Sequence, residues 1–257
     1  MDERKLHLEH FSQKEKREME ARDRPSEEFR EGRVPFGFRH TFPGGEKFIA
    51  RQSNKGQGMI TLEKDGAAVL DFSALLPEGW KFVTPTYFQK HPEEESLADY
   101  FDNDWAASPD RKMVLCGEFK TPQDILGLLH EIGHAVNDTS EENDAWENLE
   151  EEKRNTRDSA YTVLLDEEIA KNRSKSERGA WAWAIRAMRR TQAETGADFR
   201  GLFSSPAGVK EYVHYYLANH RRGYERIIRE DLDPSFYKEL QTLFDRWQYA
   251  APPERQD

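Results

Sequence analysis

The spacing of apolar residues changes along the chain and divides it into three parts. Residues 1–34 are dense in charges of both signs, which predicts an arm that is a solvated helix or disordered. From there to about residue 90, short apolar runs alternate with glycine and proline, which indicates strands and turns. Residues 111–250 carry apolar positions at helical spacing. We therefore predict a single α+β domain over residues 35–250, followed by a tail at 251–257.

The β-rich part, residues 35–90, is predicted to form a small antiparallel sheet. Its strands are FIA, MITLE and AAVLDF, and Lys64-Asp65-Gly66 is a turn signal between the last two. A further strand is predicted in WKFVTPTYF, up to a break at Pro85. The acidic, turn-rich residues 90–111 are predicted to be a surface loop or a short helix. RKMVLCGEF is predicted to be a strand of about six residues.

The stretch Thr121–Asn137 is predicted to be one buried helix. Thr121 suits the N-cap and Pro122 the first helical position. Apolar residues cover most of the circumference, which is typical of a buried helix. Gly133 lies inside this helix, where glycine lowers helix stability by about 1 kcal/mol relative to alanine. We expect a glycine at this position because it allows the backbone of another element to approach closely.

Three residues with metal chemistry sit in this apolar helix. His130 and His134 are four positions apart, so their side chains share one helical face and can bind one metal ion. Glu131 can reach a water molecule on that ion and act as general base. This is the H-E-x-x-H arrangement of zinc peptidases, which predicts Zn²⁺ as the cofactor. The alternative is a pair of satisfied core histidines.

A catalytic zinc ion needs three protein ligands, and the third must come from another part of the chain. A metzincin would have glycine and histidine where Asn137 and Ser140 stand. We favour Glu177, which is predicted to begin a helix with Ala180 on its own face. A small residue there would let that helix lie close against Gly133.

The spacing alone leaves other assignments open. Ser174-Lys175-Ser176-Glu177 also fits a capping box, in which Glu177 would serve only the N-terminus of its own helix. Other acidic residues could supply the oxygen ligand: Glu141, Glu142, Asp144, Glu147, Asp166 and Glu167.

Two motifs, LLHEIGHAVN and SERGAWAWA, together resemble the gluzincin pattern of the ImmA/IrrE-like metallopeptidases. In that family the H-E-x-x-H helix is followed, a few tens of residues later, by a helix that opens E-x-x-A. The resemblance covers roughly Arg111 to Arg190, and the segment between the two motifs is longer and more acidic here. It implies a zincin-like metallopeptidase core. The implied zinc ligands are His130, His134 and Glu177, and the implied base is Glu131.

A donor for the negative charge of the transition state would complete a peptidase site. Tyr212 and His214 are the preferred candidates, and Tyr161, Tyr215 and His220 are further ones. His214 has apolar neighbours at helical spacing, so it also fits a core or interface histidine.

Composition narrows the partners and the compartment. The net charge of −11 argues against nucleic acid or an anionic membrane as the main partner. A single cysteine fits a reducing compartment. The chain has no apolar run that suggests a signal peptide or a membrane span. We therefore expect a cytoplasmic zinc peptidase that acts on a protein or peptide.

Two other functions are compatible with the same residues. One is a regulatory or interaction module whose metal site is structural or inactive. The other is a metal-dependent hydrolase of a non-peptide amide. For a peptidase, we expect the edge of the RKMVLCGEF strand to pair with an extended substrate by strand addition.

Overall fold

The structure is a computed structural model of the chain. It describes residues 39–41, 47–52, 60–64, 67–84, 105–118, 124–137 and 140–195, together with Tyr87, His91, Val213, Thr242, Leu243 and Arg246. The arm predicted at 1–34, the tail predicted at 251–257 and most of the helical region predicted after residue 196 lie outside the described residues. In the described part the fold is α+β and mostly helical, with two small sheets.

The first sheet is the predicted antiparallel one. Its strands are β1 (Arg39–Thr41), β2 (Lys47–Gln52), β3 (Ile60–Lys64) and β4 (Ala67–Asp71), which pair in chain order. Every pairing is antiparallel. Lys64 pairs with Ala67, so β3 and β4 are joined by the two residues that the turn signal indicated.

The second sheet differs from the prediction. Its strands are β5 (Lys81–Val83), β6 (Ala106–Ser108) and β7 (Met113–Leu115), in the order β5-β7-β6. β5 runs parallel to β7, and β6 runs antiparallel to it. The strand predicted in RKMVLCGEF is therefore shorter than expected and central, so the expectation that it offers a free edge was wrong.

The edge strand β6 lies within the segment that was predicted to be a loop or short helix. Its sequence is Ala-Ala-Ser, which has little intrinsic preference for strand geometry. Pairing with the wholly buried β7, which is separated from β6 by residues 109–112, makes it a strand, although its own composition gives no strand signal.

Side chains of the second sheet alternate between two apolar clusters, as the two-residue period of a strand requires. Phe82 and Val114 belong to the main core, which they share with the helices. Val83, Met113 and Leu115 form a smaller cluster on the other face. The sheet is therefore covered on both sides, and its helix-facing side supports the site.

Three helices follow: α1 (Asp124–Asn137), α2 (Ser140–Asn155) and α3 (Ser159–Thr195). α1 is the buried helix that was predicted, although the residues proposed as its N-cap lie outside the described part. Its apolar residues form the centre of the main core: Ile125, Leu126, Leu128, Leu129, Ile132 and Ala135. None of the helices in the described part combines the length and apolar character needed to cross a membrane.

α3 corrects the prediction that a helix begins at Glu177. It is one continuous helix of 37 residues, with Glu177 near its middle. It begins after Asp158, whose carboxylate accepts hydrogen bonds from the backbone N–H groups of Ala160 (2.9 Å) and Tyr161 (3.2 Å). The capping-box alternative is therefore excluded, because a capping box needs a helix that begins there and α3 is continuous through these residues.

α2 and α3 form an antiparallel hairpin joined by residues 156–158. Ion pairs cross it in antiparallel order, from Lys153 to Asp166 at 2.5 Å and from Arg173 to Glu150 at 3.2 Å. All four side chains are partly exposed, so each pair contributes at most about 1 kcal/mol. This hairpin contains the acidic segment that separates the two sequence motifs.

Candidate metal centre

The site lies where α1 packs against the middle of α3. Gly133 on α1 touches the backbone of Ala180 on α3 so closely that a Cβ atom on Gly133 would lie 2.5 Å from the Ala180 carbonyl oxygen. Ala180 and Ala184 are themselves fully buried. This is the close approach between small residues that the sequence predicted. It brings polar side chains of the two helices within contact distance.

Three side chains converge at this crossing. Nε2 of His130 lies 3.2 Å from Nε2 of His134, because the two histidines are one helical turn apart. Oε2 of Glu177 lies 3.1 Å from Nε2 of His130, and Oε1 lies 3.4 Å from Nε2 of His134. Among the described residues, these three form the group of histidine and acidic side chains that could hold a metal ion.

The spacing of these atoms fits a metal ion. Zinc ligands of this kind bind at about 2.0–2.1 Å, so neighbouring ligand atoms of a regular tetrahedron lie about 3.3 Å apart. The 3.2 Å between the two histidine nitrogens matches that edge length, and each oxygen of Glu177 lies at a similar distance from one of these nitrogens. Two imidazoles and one carboxylate are also the donor set of known catalytic zinc sites.

The charges of the group are strongly coupled. Burial opposes protonation of His134, but the adjacent carboxylate of Glu177 outweighs it and raises the pKa of His134 to about 9. Burial also opposes ionisation of Glu177, but the two imidazoles outweigh it and hold the pKa of Glu177 well below its usual range. Without a metal, a protonated His134 neutralises the buried carboxylate. A bound cation would replace that proton.

Glu131 lies beside the three ligands without joining them. Its Oε1 is 3.8 Å from Nε2 of His130. Burial raises the pKa of Glu131 to about 7, and a hydrogen bond from the backbone N–H of Ala107 acts in the opposite direction. That N–H belongs to β6, so the edge strand directly contacts the predicted general base.

Two further residues of α3 contact the histidines, and the sequence analysis did not identify them as site residues. The hydroxyl of Ser176 is 3.3 Å from Nδ1 of His134. The indole of Trp181 stacks on the ring of His130, with centroids 4.0 Å apart and planes 19° apart. The position of Trp181, four residues after Glu177, places both on one helical face, and this spacing was a usable signal. For Ser176 and for Ala107 no such signal exists.

Other predicted site residues fall elsewhere. Asp166 is paired with Lys153 on α2. Tyr161 donates a hydrogen bond to Glu152 at 2.5 Å and lies 16 positions before Glu177, about 24 Å along the helix axis, so it is not a donor for this site. Tyr212, His214, Tyr215 and His220 lie outside the described residues, as do the side chains of Glu141, Glu142, Asp144 and Glu147.

Comparison of the chain with protein-family models, curated proteins and solved structures finds no match. The resemblance to the ImmA/IrrE-like metallopeptidases therefore rests on the quoted motifs, and it stays a prediction.

Proposed function

We propose that this chain is a zinc-dependent peptidase with a zincin-like core, in which His130, His134 and Glu177 hold the ion and Glu131 is the general base. The observation that carries the proposal is the convergence of His130, His134 and Glu177, whose ligand atoms lie within 4.8 Å of one another, with a further acidic side chain, Glu131, beside them. The reaction class follows from this combination.

The number of ligands favours a catalytic site over a structural one. Structural zinc sites almost always have four protein ligands, whereas catalytic sites have three and leave one position for water or substrate. The group formed by the described residues has three members. Glu131 lies next to it and is largely buried, which is a suitable place for a base that acts on a water molecule between it and the ion.

The chemistry divides between the ion and the protein. Bound Zn²⁺ would polarise the scissile carbonyl and make a water molecule more acidic. Glu131 would accept the proton of that water and pass it to the leaving amine. In the metal-free site burial raises the pKa of Glu131 to about 7, and a bound cation nearby would lower it, which favours the carboxylate form that a base needs. The N–H of Ala107 would hold the carboxylate in place between the two transfers.

The position of β6 supports an extended peptide as substrate. In the described part of the chain, β6 pairs with β7 on one side only, and it contacts Glu131 through Ala107. An extended chain added to its outer edge would pass close to the base and the ligands. The strand addition expected of β7 is therefore assigned to β6.

The test is a Glu131→Gln variant, with Glu194→Gln as a matched control, because Glu194 is exposed on α3. Zinc content and hydrolysis of casein or a peptide library are measured for each. E131Q should bind one equivalent of zinc and lose hydrolysis by at least about a hundredfold, and E194Q should behave like wild type. Chelation should abolish wild-type hydrolysis, and zinc should restore it.

The outcomes separate the candidate functions. Stoichiometric zinc without hydrolysis of any peptide substrate would favour the regulatory module with a structural or inactive site. Cleavage of small amides but not of extended peptides would favour the non-peptide hydrolase. Wild-type protein that binds no zinc would refute the metal centre itself.

A further inference from the structure

One short segment of α3, residues 176–181, contacts both histidines of the site. Glu177 faces their Nε2 atoms. Ser176 contacts Nδ1 of His134, and Trp181 stacks on His130. We propose that Ser176 and Trp181 are positioning residues, which fix the orientation of the two imidazoles for the metal ion. This inference rests on the proposed metal site and assigns the groups that support it.

The first step concerns the hydrogen bond of His134. Its Nε2 is turned towards the ligand group, so Nδ1 lies on the opposite side of the ring. An imidazole that binds a metal through Nε2 carries its proton on Nδ1 and needs an acceptor there. The hydroxyl of Ser176 lies 3.3 Å from that nitrogen. Ser176 would thereby fix both the tautomer and the rotation of the ring.

The expected influence of Ser176 on zinc affinity depends on how exposed its side chain is. The side chain of Ser176 is exposed, so water can partly replace its hydroxyl, and a hydroxyl is a weaker acceptor than a carboxylate. Groups that orient metal ligands typically change affinity by tenfold to a hundredfold. We therefore expect the lower end of that range.

The second step concerns the ring of His130. Trp181 is 1% exposed and His130 4% exposed, so core packing holds both rings. The nearly parallel stack restricts rotation of the imidazole, which stands at 76° to the ring of His134. The two rings therefore have a defined relative orientation before an ion arrives. A site prepared in this way binds its ion with less loss of side-chain entropy.

Ser176 is tested by Ser176→Ala and Ser176→Thr, with Ser159→Ala as the matched control at the exposed start of the same helix. Zinc affinity is measured by competition with a chelating dye. S176A should bind zinc about tenfold more weakly, S176T should recover most of the affinity because it keeps the hydroxyl, and S159A should not change. Proton NMR of the zinc form should show a slowly exchanging Nδ1–H of His134 that is lost only in S176A.

Trp181 is tested by the change in tryptophan fluorescence on addition of zinc, in Trp181→Phe and in Trp183→Phe as the matched control. The change should be present in wild type and in W183F and absent in W181F, since Trp181 is the tryptophan that stacks on a predicted ligand in the described part of the chain. The zinc affinity of W181F should fall less than that of S176A, because phenylalanine keeps an aromatic face against His130.

The two proposals fail in different ways. Wild type without stoichiometric zinc refutes the proposed function. Wild type that binds zinc, with unchanged affinity and an unchanged Nδ1–H signal in S176A and an unaltered fluorescence response in W181F, refutes the positioning roles alone.

Discussion

The contact between Gly133 and Ala180 makes the most direct prediction, because it joins the two helices that carry the proposed ligands. In Gly133→Ala, the new Cβ would lie 2.5 Å from the carbonyl oxygen and 2.9 Å from the Cα of Ala180. Carbon and oxygen atoms in close packing lie about 3.3 Å apart. The helices must therefore separate by roughly 0.8 Å, since backbone atoms cannot turn aside as a side chain can.

Two effects on stability compete in this variant. Alanine is about 1 kcal/mol better than glycine in a helix interior, whereas overpacking of a core typically costs about 1–3 kcal/mol. We expect a net loss of about 0–2 kcal/mol in the free energy of unfolding. Gly179→Ala is the matched control, because its Cβ would meet the side-chain Nδ2 of Asn137 at 3.3 Å rather than backbone atoms. It should be neutral or stabilising by up to about 1 kcal/mol.

The same substitution should also weaken metal binding. Separation of the helices would widen the distances between Glu177 and the two histidines, now 3.1 and 3.4 Å, to roughly 4 Å. That is far from the tetrahedral edge of about 3.3 Å. Zinc affinity of G133A should fall by about tenfold or more, whereas that of G179A should be unchanged.

The assays are denaturant unfolding of the metal-free proteins and zinc competition titration of the folded ones. The variants are compared with each other as well as with wild type. A G133A protein that is as stable as G179A and binds zinc like wild type would show that the two helices do not approach as closely as described.

Two further predictions concern protonation and helix capping. Zinc binding at pH 8 should release about one proton, because the ion needs the neutral imidazole of His134. Burial lowers the pKa of His134, but the stronger opposing effect of Glu177 raises it to about 9. Calorimetry in buffers of different ionisation enthalpy measures the number of protons released, and zero release would contradict the coupling between His134 and Glu177. Affinity should accordingly fall about tenfold per pH unit below 9. Asp158→Ala removes the N-cap of α3 and should lower the free energy of unfolding by about 1 kcal/mol. Zinc affinity should not change, since Glu177 lies about 28 Å further along the helix. A loss of zinc affinity would mean that the end of the helix influences the site.

The sequence indicated α1 and the side chains that meet at the site because both depend on local patterns. The apolar circumference of α1, the four-residue spacing of its histidines and the small residue at Gly133 are all visible within one helix. The close approach to Ala180 follows from the same logic of small residues. That these side chains bind zinc remains a prediction.

The errors arose where packing, rather than the composition of the segment itself, decides the structure. Ser174 to Glu177 has the composition of a helix start, but the same residues are tolerated inside a helix, where Ser176 has an exposed side chain. β6 is a strand only because β7 lies beside it. The backbone contact of Ala107 with Glu131 depends in turn on that pairing, and an alanine side chain gives no indication of such a contact in the sequence.

The distance along the chain between the two halves of the site has a consequence for folding. His134 and Ser176 touch although they are 42 positions apart, and the whole α2–α3 hairpin turn lies between them. An ion bound to both helices would therefore act as a cross-link that closes a long loop, which disfavours opening of the native state. Bound metal should protect this region against proteolysis and amide hydrogen exchange as one unit, independently of whether the site turns over a substrate.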